Sequence, residues 1–270
     1  MRVARRIRGM RVQAGLTLAE AATKLDKTKS ALSGLETGQS RVDVHVARSM
    51  MDLYDRYDPD LLDLVRQSRS AGWWVQYLSP RYRDRGFTGL AADASAKIEL
   101  CLVLIPGLLQ TEAYARAIFD GRLHPWTAQE LANNVALRMA RQRRLTDPEH
   151  PIDLVALIDE SALHKNVGGM EVMHDQLRHL VKSAELPAVT IQVLPNSLGT
   201  RVGMNGALVV LSYPDADDPD VLYTETITGS MHVDDIEVVA EARAVLARLR
   251  SAALSPDESI SFIEAIADRM

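Results

Sequence analysis

The chain has little cysteine, few aromatic residues and no long apolar run. Cys101 is the one cysteine among 270 residues, so no disulfide can form within the chain, and we expect a reducing cytoplasm. The N-terminal residues lack the apolar core of a secretory signal peptide. The longest apolar runs, near residues 100–109 and 207–211, are too short to cross a bilayer. We therefore expect a cytoplasmic protein without a membrane-spanning segment.

The chain as a whole also has no excess of positive charge, since 31 Lys or Arg stand against 36 Asp or Glu and the formal net charge is −5. Taken alone, this value argues against a protein that binds nucleic acid. The charges are nevertheless unevenly distributed, because residues 1–48 hold ten Lys or Arg against four Asp or Glu. That segment carries +6 and the remainder −11. Since phosphate neutralisation needs only local cations, the distribution favours a nucleic-acid-binding N-terminal segment on an acidic body.

Length and composition predict two domains. A chain of 270 residues with 47% hydrophobic residues can bury a full core. Residues 1–65 predict a compact bundle of about five helices, and residues 66–90 predict a polar, Arg-rich connector. Residues 91–270 alternate helical and strand-like segments. The expected fold class is therefore mainly α, with an α+β C-terminal domain built on a small sheet.

Residues 17–38 are typical of a helix-turn-helix. Thr17 and Glu20 have the spacing of a capping box, which predicts the start of a first helix. After a turn at residues 26–27, Thr28 is placed to cap a second helix. That second helix is expected to bury Ala31, Leu32 and Leu35 and to turn Lys29, Ser30, Ser33 and Gly34 outward. A short polar helix on an apolar support fits the major groove of DNA.

In the C-terminal part, four segments rich in β-branched residues predict strands at 152–158, 189–194, 206–211 and 221–226. A helix is expected near 91–99, leading into the apolar run at 100–105. Capping boxes at Thr127–Glu130 and Ser255–Glu258 predict the starts of two further helices. Trp73, Trp74 and Tyr77 form an aromatic cluster in the connector, which favours packing between domains or subunits, with ligand or base stacking as the alternative.

No pattern of catalytic or metal-binding residues emerges from the sequence. His174 and His179 lie five residues apart, which places them on different faces of a helix, unlike a helical zinc pair. Asp159, Glu160, Ser161 and His164 imitate a hydrolytic cluster, but they lack a nucleophile elbow and are better explained as a helix start. The glycine pairs fit neither nucleotide-binding fingerprint. We therefore expect no enzymatic activity, no metal and no cofactor.

Two sets of residues resemble known families. Arg5–Arg11, Leu18–Ala22 and Thr28–Gly38 resemble the lambda-repressor-like, xenobiotic-response-element family of helix-turn-helix regulators. Ile105–Ala117 (IPGLLQTEAYARA), supported by residues 159–163 and 189–195, resembles the C-terminal domain of actinobacterial WhiJ-like regulators. Together these resemblances cover nearly the whole chain. They imply a transcription regulator, antitoxin-like in some relatives, that is often encoded beside a small partner protein.

The resemblance also implies which residues contact double-stranded DNA. Lys29, Ser30 and Ser33 correspond to positions that face base edges, and Gly34 leaves room beside them. The residues that the resemblance places in contact with phosphates are Thr17, Thr28, Gln39 and Arg41, with Arg5 and Lys27 as weaker candidates. Asp26 replaces a usual glycine at the turn and tolerates the left-handed conformation. Glu36 is expected to fix the domain internally through an arginine of the first helix.

Three functional hypotheses remain open. The first is a sequence-specific regulator that binds a two-part site as a homodimer, because short side chains limit what one domain reads. The second is an antitoxin-like protein whose C-terminal domain mainly binds a small partner protein. The third is a small-molecule sensor with a pocket in the C-terminal domain. The candidate partner or ligand residues are Trp73, Trp74, Tyr77, Pro106, Gly107 and Gln110.

Overall fold

The structure is a computed structural model that describes residues 2–38, 40, 42–67, 75–77, 85–121, 123, 125–215, 218–226 and 229–270. Its internal contacts divide the chain into two compact units. One unit, which we call the head, comprises Met1–Val75 together with Asp215–Pro219. The other, the body, comprises Gln76–Pro214 and Asp220–Met270. The predicted domain borders at residues 65 and 90 stay predictions.

The described part of the head contains five α-helices, as the sequence predicts. They are α1 (Arg2–Gln13), α2 (Leu18–Lys24), α3 (Lys29–Glu36), α4 (Val44–Leu53) and α5 (Pro59–Gln67). Each begins where a local signal allows it: Asp43, for example, accepts the N–H groups of His45 and Val46 at the start of α4. The core gathers apolar side chains from all five helices, among them Ile7, Ala21, Leu32, Met50 and Leu61.

The body is built on one six-stranded sheet with the strand order β3-β2-β1-β4-β5-β6. The strands are β1 (Ala96–Cys101), β2 (Asp153–Asp159), β3 (Val189–Leu194), β4 (Leu208–Ser212), β5 (Val221–Thr226) and β6 (Gly229–Val233). Strands β1, β2 and β3 are parallel, and the other neighbours are antiparallel. The expected α+β domain is confirmed.

Seven helices accompany the sheet in the described part of the body. They are α6 (Arg85–Asp93), α7 (Glu112–Asp120), α8 (Ala128–Gln142), α9 (Glu160–Leu163), α10 (Met170–Ser183), α11 (Ile236–Ala252) and α12 (Pro256–Ala267). Helix α11 packs Leu246 and Leu249 against Leu100, Leu157 and Val210 of the sheet. The predicted capping boxes at the starts of α8 and α12 are both present. No described helix has the length and the apolar character needed to cross a bilayer.

The expectation of a helix at 91–99 is wrong. Helix α6 ends at Asp93, and residues 96–101 form β1 in the middle of the sheet. Lys97 and Glu99 are both buried on one face of the strand, where Lys97 Nζ lies 2.7 Å from Glu99 Oε1. Because successive strand residues alternate between faces, Ile98 and Leu100 pack with α11 on the other side. Strand β6 was not predicted at all.

Candidate nucleic-acid interface

The first helix of the motif begins in a complete capping box. The backbone N–H of Thr17 donates to Glu20 Oε2 at 2.8 Å, and the N–H of Glu20 donates to Thr17 Oγ1 at 3.2 Å. The Thr17 hydroxyl also donates to Glu20 Oε2 at 2.7 Å, and this bond, with that from the Thr17 N–H, holds the pKa of the exposed Glu20 carboxyl below its usual value. The capping box fixes the start of α2, and Ala21 and Ala22 are then buried against the head core. The sequence prediction for this helix is confirmed.

The turn between the two helices depends on Asp26. Its φ angle is +51°, in the left-handed region that favours glycine, asparagine and aspartate. The N–H of Lys27 then donates to Ala22 O at 2.9 Å, which closes the turn back onto α2. The chain therefore makes the sharp turn without the glycine that is usual there, as the sequence analysis expected.

Helix α3 presents its first turn to solvent. Thr28 caps it by accepting the N–H of Ala31 at 3.1 Å. Lys29, Ser30 and Ala31 are exposed, whereas Leu32 and Leu35 are buried in the head core. The expectation that Ala31 is buried is wrong, because the residue lies on the outer face between Ser30 and the buried Leu32. The exposed surface of α3 thus combines a cation, a hydroxyl and a methyl group.

Gly34 is buried, contrary to its predicted outward position. A Cβ atom at Gly34 would lie 3.0 Å from Ser40 Oγ, and the N–H of Ser40 donates to Gly34 O at 2.8 Å. The chain that leaves α3 therefore folds back over this residue. The glycine makes room for that contact, and Ser33 beside it stays half-buried. The accessible part of α3 is its N-terminal half together with part of Ser33.

An internal ion pair holds the C-terminal end of α3 to α1. Arg11 Nε donates to Glu36 Oε1 at 2.7 Å, and Arg11 Nη2 donates to Glu36 Oε2 at 2.8 Å. Arg11 also donates to Leu16 O at 2.7 Å, so it ties α1 to the loop before α2 as well. The hydrogen bond to Glu36 raises the pKa of Arg11. The expected internal role of Glu36 is confirmed, and this geometry sets the position of α3.

The predicted phosphate contacts fall into different environments. Thr17 and Thr28 are exposed at the starts of α2 and α3, and Lys27 is half-buried between the two helices. Arg5 is buried, with its guanidinium 3.6 Å from the carboxylate of Asp218, so it would have to leave this pair to reach a phosphate. Gln39 and Arg41 lie outside the described residues.

In the body, the predicted ligand segment is bonded internally. The Gln110 side chain donates to Ile105 O at 2.7 Å and accepts from Arg138 at 2.6 Å. Gln176 bridges the segment by donating to Leu109 O and accepting the N–H of Thr111, both at 2.7 Å. The glycine at 107 permits the approach of Arg138, whose Nη1 would lie 2.8 Å from an added Cβ.

The remaining candidate ligand residues differ in how deeply they are buried. Pro106 is buried at the start of a short 3-10 helix, and Gly107 is half-buried within it. Tyr77 is half-buried at the end of another 3-10 helix, Val75–Tyr77. Trp73 and Trp74 lie outside the described residues. The role of these residues in ligand or partner binding stays a prediction.

The cluster that imitated a hydrolytic site forms a helix start. Asp159 caps α9 by accepting the N–H of Ser161 at 2.9 Å, and its second oxygen pairs with Arg201. The Ser161 hydroxyl donates to Leu102 O at 3.0 Å, and Glu160 accepts the N–H of Asn196 at 2.7 Å. These bonds join the ends of neighbouring strands, and the interpretation as a helix start is confirmed.

Two features of the head were missed from the sequence. The exposure of Ala31 could have been found from the helical spacing, because the buried Leu32 and Leu35 place residue 31 near the edge of the apolar face. The burial of Arg5 against Asp218 had no local signal. The two residues are more than two hundred positions apart, and only the acidic character of residues 215–220 hinted at a cationic partner.

The fold of the head and the exposed α3 define a helix-turn-helix DNA-binding domain. In agreement, residues 2–65 match a family model described as a helix-turn-helix domain. Residues 85–265 match a second model, the domain of unknown function DUF5753, which covers more than half of the chain. The chain therefore belongs to the DUF5753 family. No curated protein and no solved structure matches it significantly.

Proposed function

We propose that the protein is a sequence-specific transcription regulator of the xenobiotic-response-element type that reads DNA with the N-terminal half of α3. The observation that carries the proposal is the exposure of Lys29, Ser30 and Ala31 on a helix whose other face is fixed in the core. A helix supported in this way enters the major groove with its N-terminal residues toward the base edges.

Each exposed group of α3 has a matching chemistry in the groove. Lys29 donates to the O6 and N7 acceptors of guanine, and the Ser30 hydroxyl donates or accepts. The methyl group of Ala31 suits the C5-methyl group of thymine. Around them, the N-terminal ends of α2 and α3, with Thr17 and Thr28, offer partial positive charge to phosphates. Base readout and phosphate binding thus share one surface.

The small number of reading side chains favours two copies on one operator. One head offers a lysine, two serines and an alanine, which is modest direct readout. A homodimer that binds two half-sites doubles the number of base contacts and couples their free energies. We therefore propose that the operator has two parts, and that the protein acts in the cytoplasm as a dimer.

The body is proposed to control the head through the segment 215–219. This segment joins β4 to β5 of the sheet, yet it belongs to the compact unit of the head. Its Asp218 forms the buried pair with Arg5, and Asp215 lies 3.9 Å from Arg6, which also pairs with Asp58 at 3.4 Å. A partner or effector that shifts the β4–β5 connection would act directly on α1, and α1 positions α3 through Arg11.

An antitoxin-like role as the binder of a small partner protein is the second candidate. It is favoured by exposed apolar side chains at the end of β1, where Val103 is 55% exposed and Leu104 38%. Met204 is also exposed. The residue before it, Gly203, lies against β1, because a Cβ atom added to it would be 2.9 Å from the Leu100 side chain. This loop is therefore next to the same strand end. Exposed apolar patches often mark protein interaction sites.

The DNA-binding proposal is tested by measuring binding to a selected duplex and to a scrambled one at fixed salt. Lys29→Ala combined with Ser33→Ala should remove the preference for the selected duplex while the fold stays intact. Lys165→Ala serves as the control, since it removes the same charge from an exposed position of the body. Unchanged preference in the double variant would contradict the proposal, as would an equal loss in Lys165→Ala.

A further inference from the structure

The two ends of the body sheet differ in how their edges are protected. At one end, β3 has its outer edge covered by the chain between α11 and α12. The C=O of Val193 accepts the N–H of Leu254 at 3.0 Å, and the N–H of Val193 donates to Ser259 Oγ at 2.9 Å. Gln192 adds a hydrogen bond to Leu254 O at 2.9 Å. The backbone groups at this edge therefore have partners within the chain.

At the other end, β6 pairs with β5 and no described strand follows it. Four of its five residues, Gly229 to His232, are exposed. Natural sheets protect such edges with lysine, proline, a bulge or a covering element. Within β6 the sequence Gly-Ser-Met-His-Val supplies no lysine and no proline, and its ladder with β5 runs without a bulge. Since no described strand pairs with the outer edge of β6, this edge can act as a template for another strand.

Exposed apolar side chains lie on β6 and at the start of α11, which follows it in the chain. Val233 is opposite Leu222, which packs with the core beneath α11. Met231, two residues away on the strand, therefore lies on the same face of the sheet. It is 57% exposed, and Ile236 and Val238 at the start of α11 are 80% and 41% exposed. We call β6 together with these three side chains the β6 margin.

We propose that the β6 margin binds the β6 margin of a second copy of this chain, so that two sheets join through antiparallel β6 strands. A twofold axis at Met231 overlaps the strands along their whole length. It places Met231 opposite Met231, Ser230 opposite His232, and Gly229 opposite Val233. No like charges face each other in this register. Because the interface is self-complementary, it closes after two copies and does not continue into a fibre.

The choice of a second copy as the occupant rests on the proposed DNA-binding function, in which one head reads too few bases alone. A partner protein that added its own strand would use the same backbone groups, and it would leave the purified chain monomeric. The oligomeric state of the purified full chain without DNA therefore separates the two occupants.

The first test measures the mass of the full chain by analytical ultracentrifugation over a range of concentrations. The wild-type chain should form dimers, and Met231→Lys should raise the dissociation constant about tenfold or more, because two lysines would face each other. Met170→Lys is the matched control, since Met170 is 51% exposed at the start of α10. A wild-type chain that stays monomeric up to about 100 μM, or an unchanged Met231→Lys dimer, would overturn the proposal.

A second test uses disulfide cross-linking to determine the register between the two β6 strands. Directly opposed strand residues have Cα atoms close enough for a disulfide. Met231→Cys should therefore form a covalent dimer under mild oxidation, and Met170→Cys should not. Cys101 does not interfere, because burial raises the pKa of its thiol well above the usual value. Equal cross-linking of the two variants would contradict the register.

The same variants test the dimer interface and the DNA-binding function independently of each other. Met231→Lys should retain binding to a single half-site and lose tight binding to a two-part site. If the variant stays dimeric and binds both duplexes normally, the interface is wrong and the DNA-binding function stands. If the wild-type chain dimerises as proposed but binds no DNA selectively, the function is wrong and the interface stands.

Discussion

Two segments of this protein that the sequence predicts as binding sites have opposite fates in the structure. At the start of α3, Lys29 and Ser30 stay exposed above an apolar support. In the body segment 106–111, the Gln110 side chain is turned inward and bonded to Ile105 O and Arg138. The difference follows from the backbone. A helix satisfies most of its own N–H and C=O groups, whereas a buried irregular segment needs side chains to do so.

The comparison teaches where polar residues become available for binding. At the start of α3 the exposed side chains of Lys29 and Ser30 remain accessible to a partner. Gln176 and Gln142 in the body complete the hydrogen bonds of the 106–111 backbone and are committed to the structure. Substitutions at the start of α3 should therefore reduce DNA binding with little loss of stability. Substitutions that remove the hydrogen bonds of segment 106–111 should reduce the stability of the body.

The largest loss of stability should come from the ion pair that supports α3. Arg11→Met leaves the buried Glu36 carboxylate without its partner, which should destabilise the head by about 3–5 kcal/mol. The measurement is hydrogen exchange of peptides from α1 and α3 in the full chain. Arg66→Met is the control, because Arg66 and Asp63 form an exposed pair, whose loss should cost less than about 1 kcal/mol. Equal effects of the two substitutions would contradict the role of the buried pair.

The next largest effect should fall on the body alone. Gln176→Leu removes the partners of Leu109 O and of the Thr111 N–H, which should destabilise the body by about 2–4 kcal/mol. DNA binding at low temperature should stay normal, since the head is untouched. Gln129→Leu, an exposed position on α8, should be nearly neutral in the same thermal unfolding experiment. A stable Gln176→Leu variant would show that the segment does not depend on this side chain.

A smaller effect of opposite sign is expected at Tyr54. Its hydroxyl is buried and has no hydrogen-bond partner among the described residues. Tyr54→Phe should therefore stabilise the head by about 1 kcal/mol, whereas Tyr223→Phe in the body should not. Chemical denaturation, followed by hydrogen exchange of α4 peptides, measures the change. A destabilised Tyr54→Phe head would contradict the geometry of the hydroxyl.

Tyr54 also predicts a dependence of head stability on alkaline pH. Burial, with the nearby Glu36 charge, raises the pKa of Tyr54 to about 12. An unfolded tyrosine ionises near pH 10. The contribution of the protonated hydroxyl is thus complete below about pH 10 and is lost as the pH rises from about 10 to 12. Tyr54→Phe should lose less stability over this range than the wild-type head, and parallel curves for the two would contradict the prediction.

Local chemistry made much of the head predictable from sequence. The capping box at Thr17, the left-handed turn at Asp26 and the five helices follow from short-range patterns, and so does the expected internal role of Glu36. Gly34 was misplaced because its burial depends on Ser40 folding back, which helical periodicity does not record.

The body was predicted less completely because its decisive contacts join distant residues. Four of the six strands followed from β-branched patterns. Strand β1 was predicted as a helix, and the buried pairing of its charged residues Lys97 and Glu99 is not visible in a short-range pattern. Strand β6 has a weak pattern of its own, and its place at the sheet edge depends on pairing with β5. The Arg5–Asp218 pair required the tertiary fold.

The central claim is that the N-terminal half of α3 reads DNA sequence. The most direct measurement is selection of duplexes from a random pool by the full wild-type chain and by Lys29→Ala/Ser33→Ala, at the same salt concentration. We predict that the wild-type chain enriches a defined two-part motif and that the double variant enriches none, although its head remains folded. Enrichment of the same motif by both proteins would contradict the claim, as would a wild-type chain that enriches no sequence.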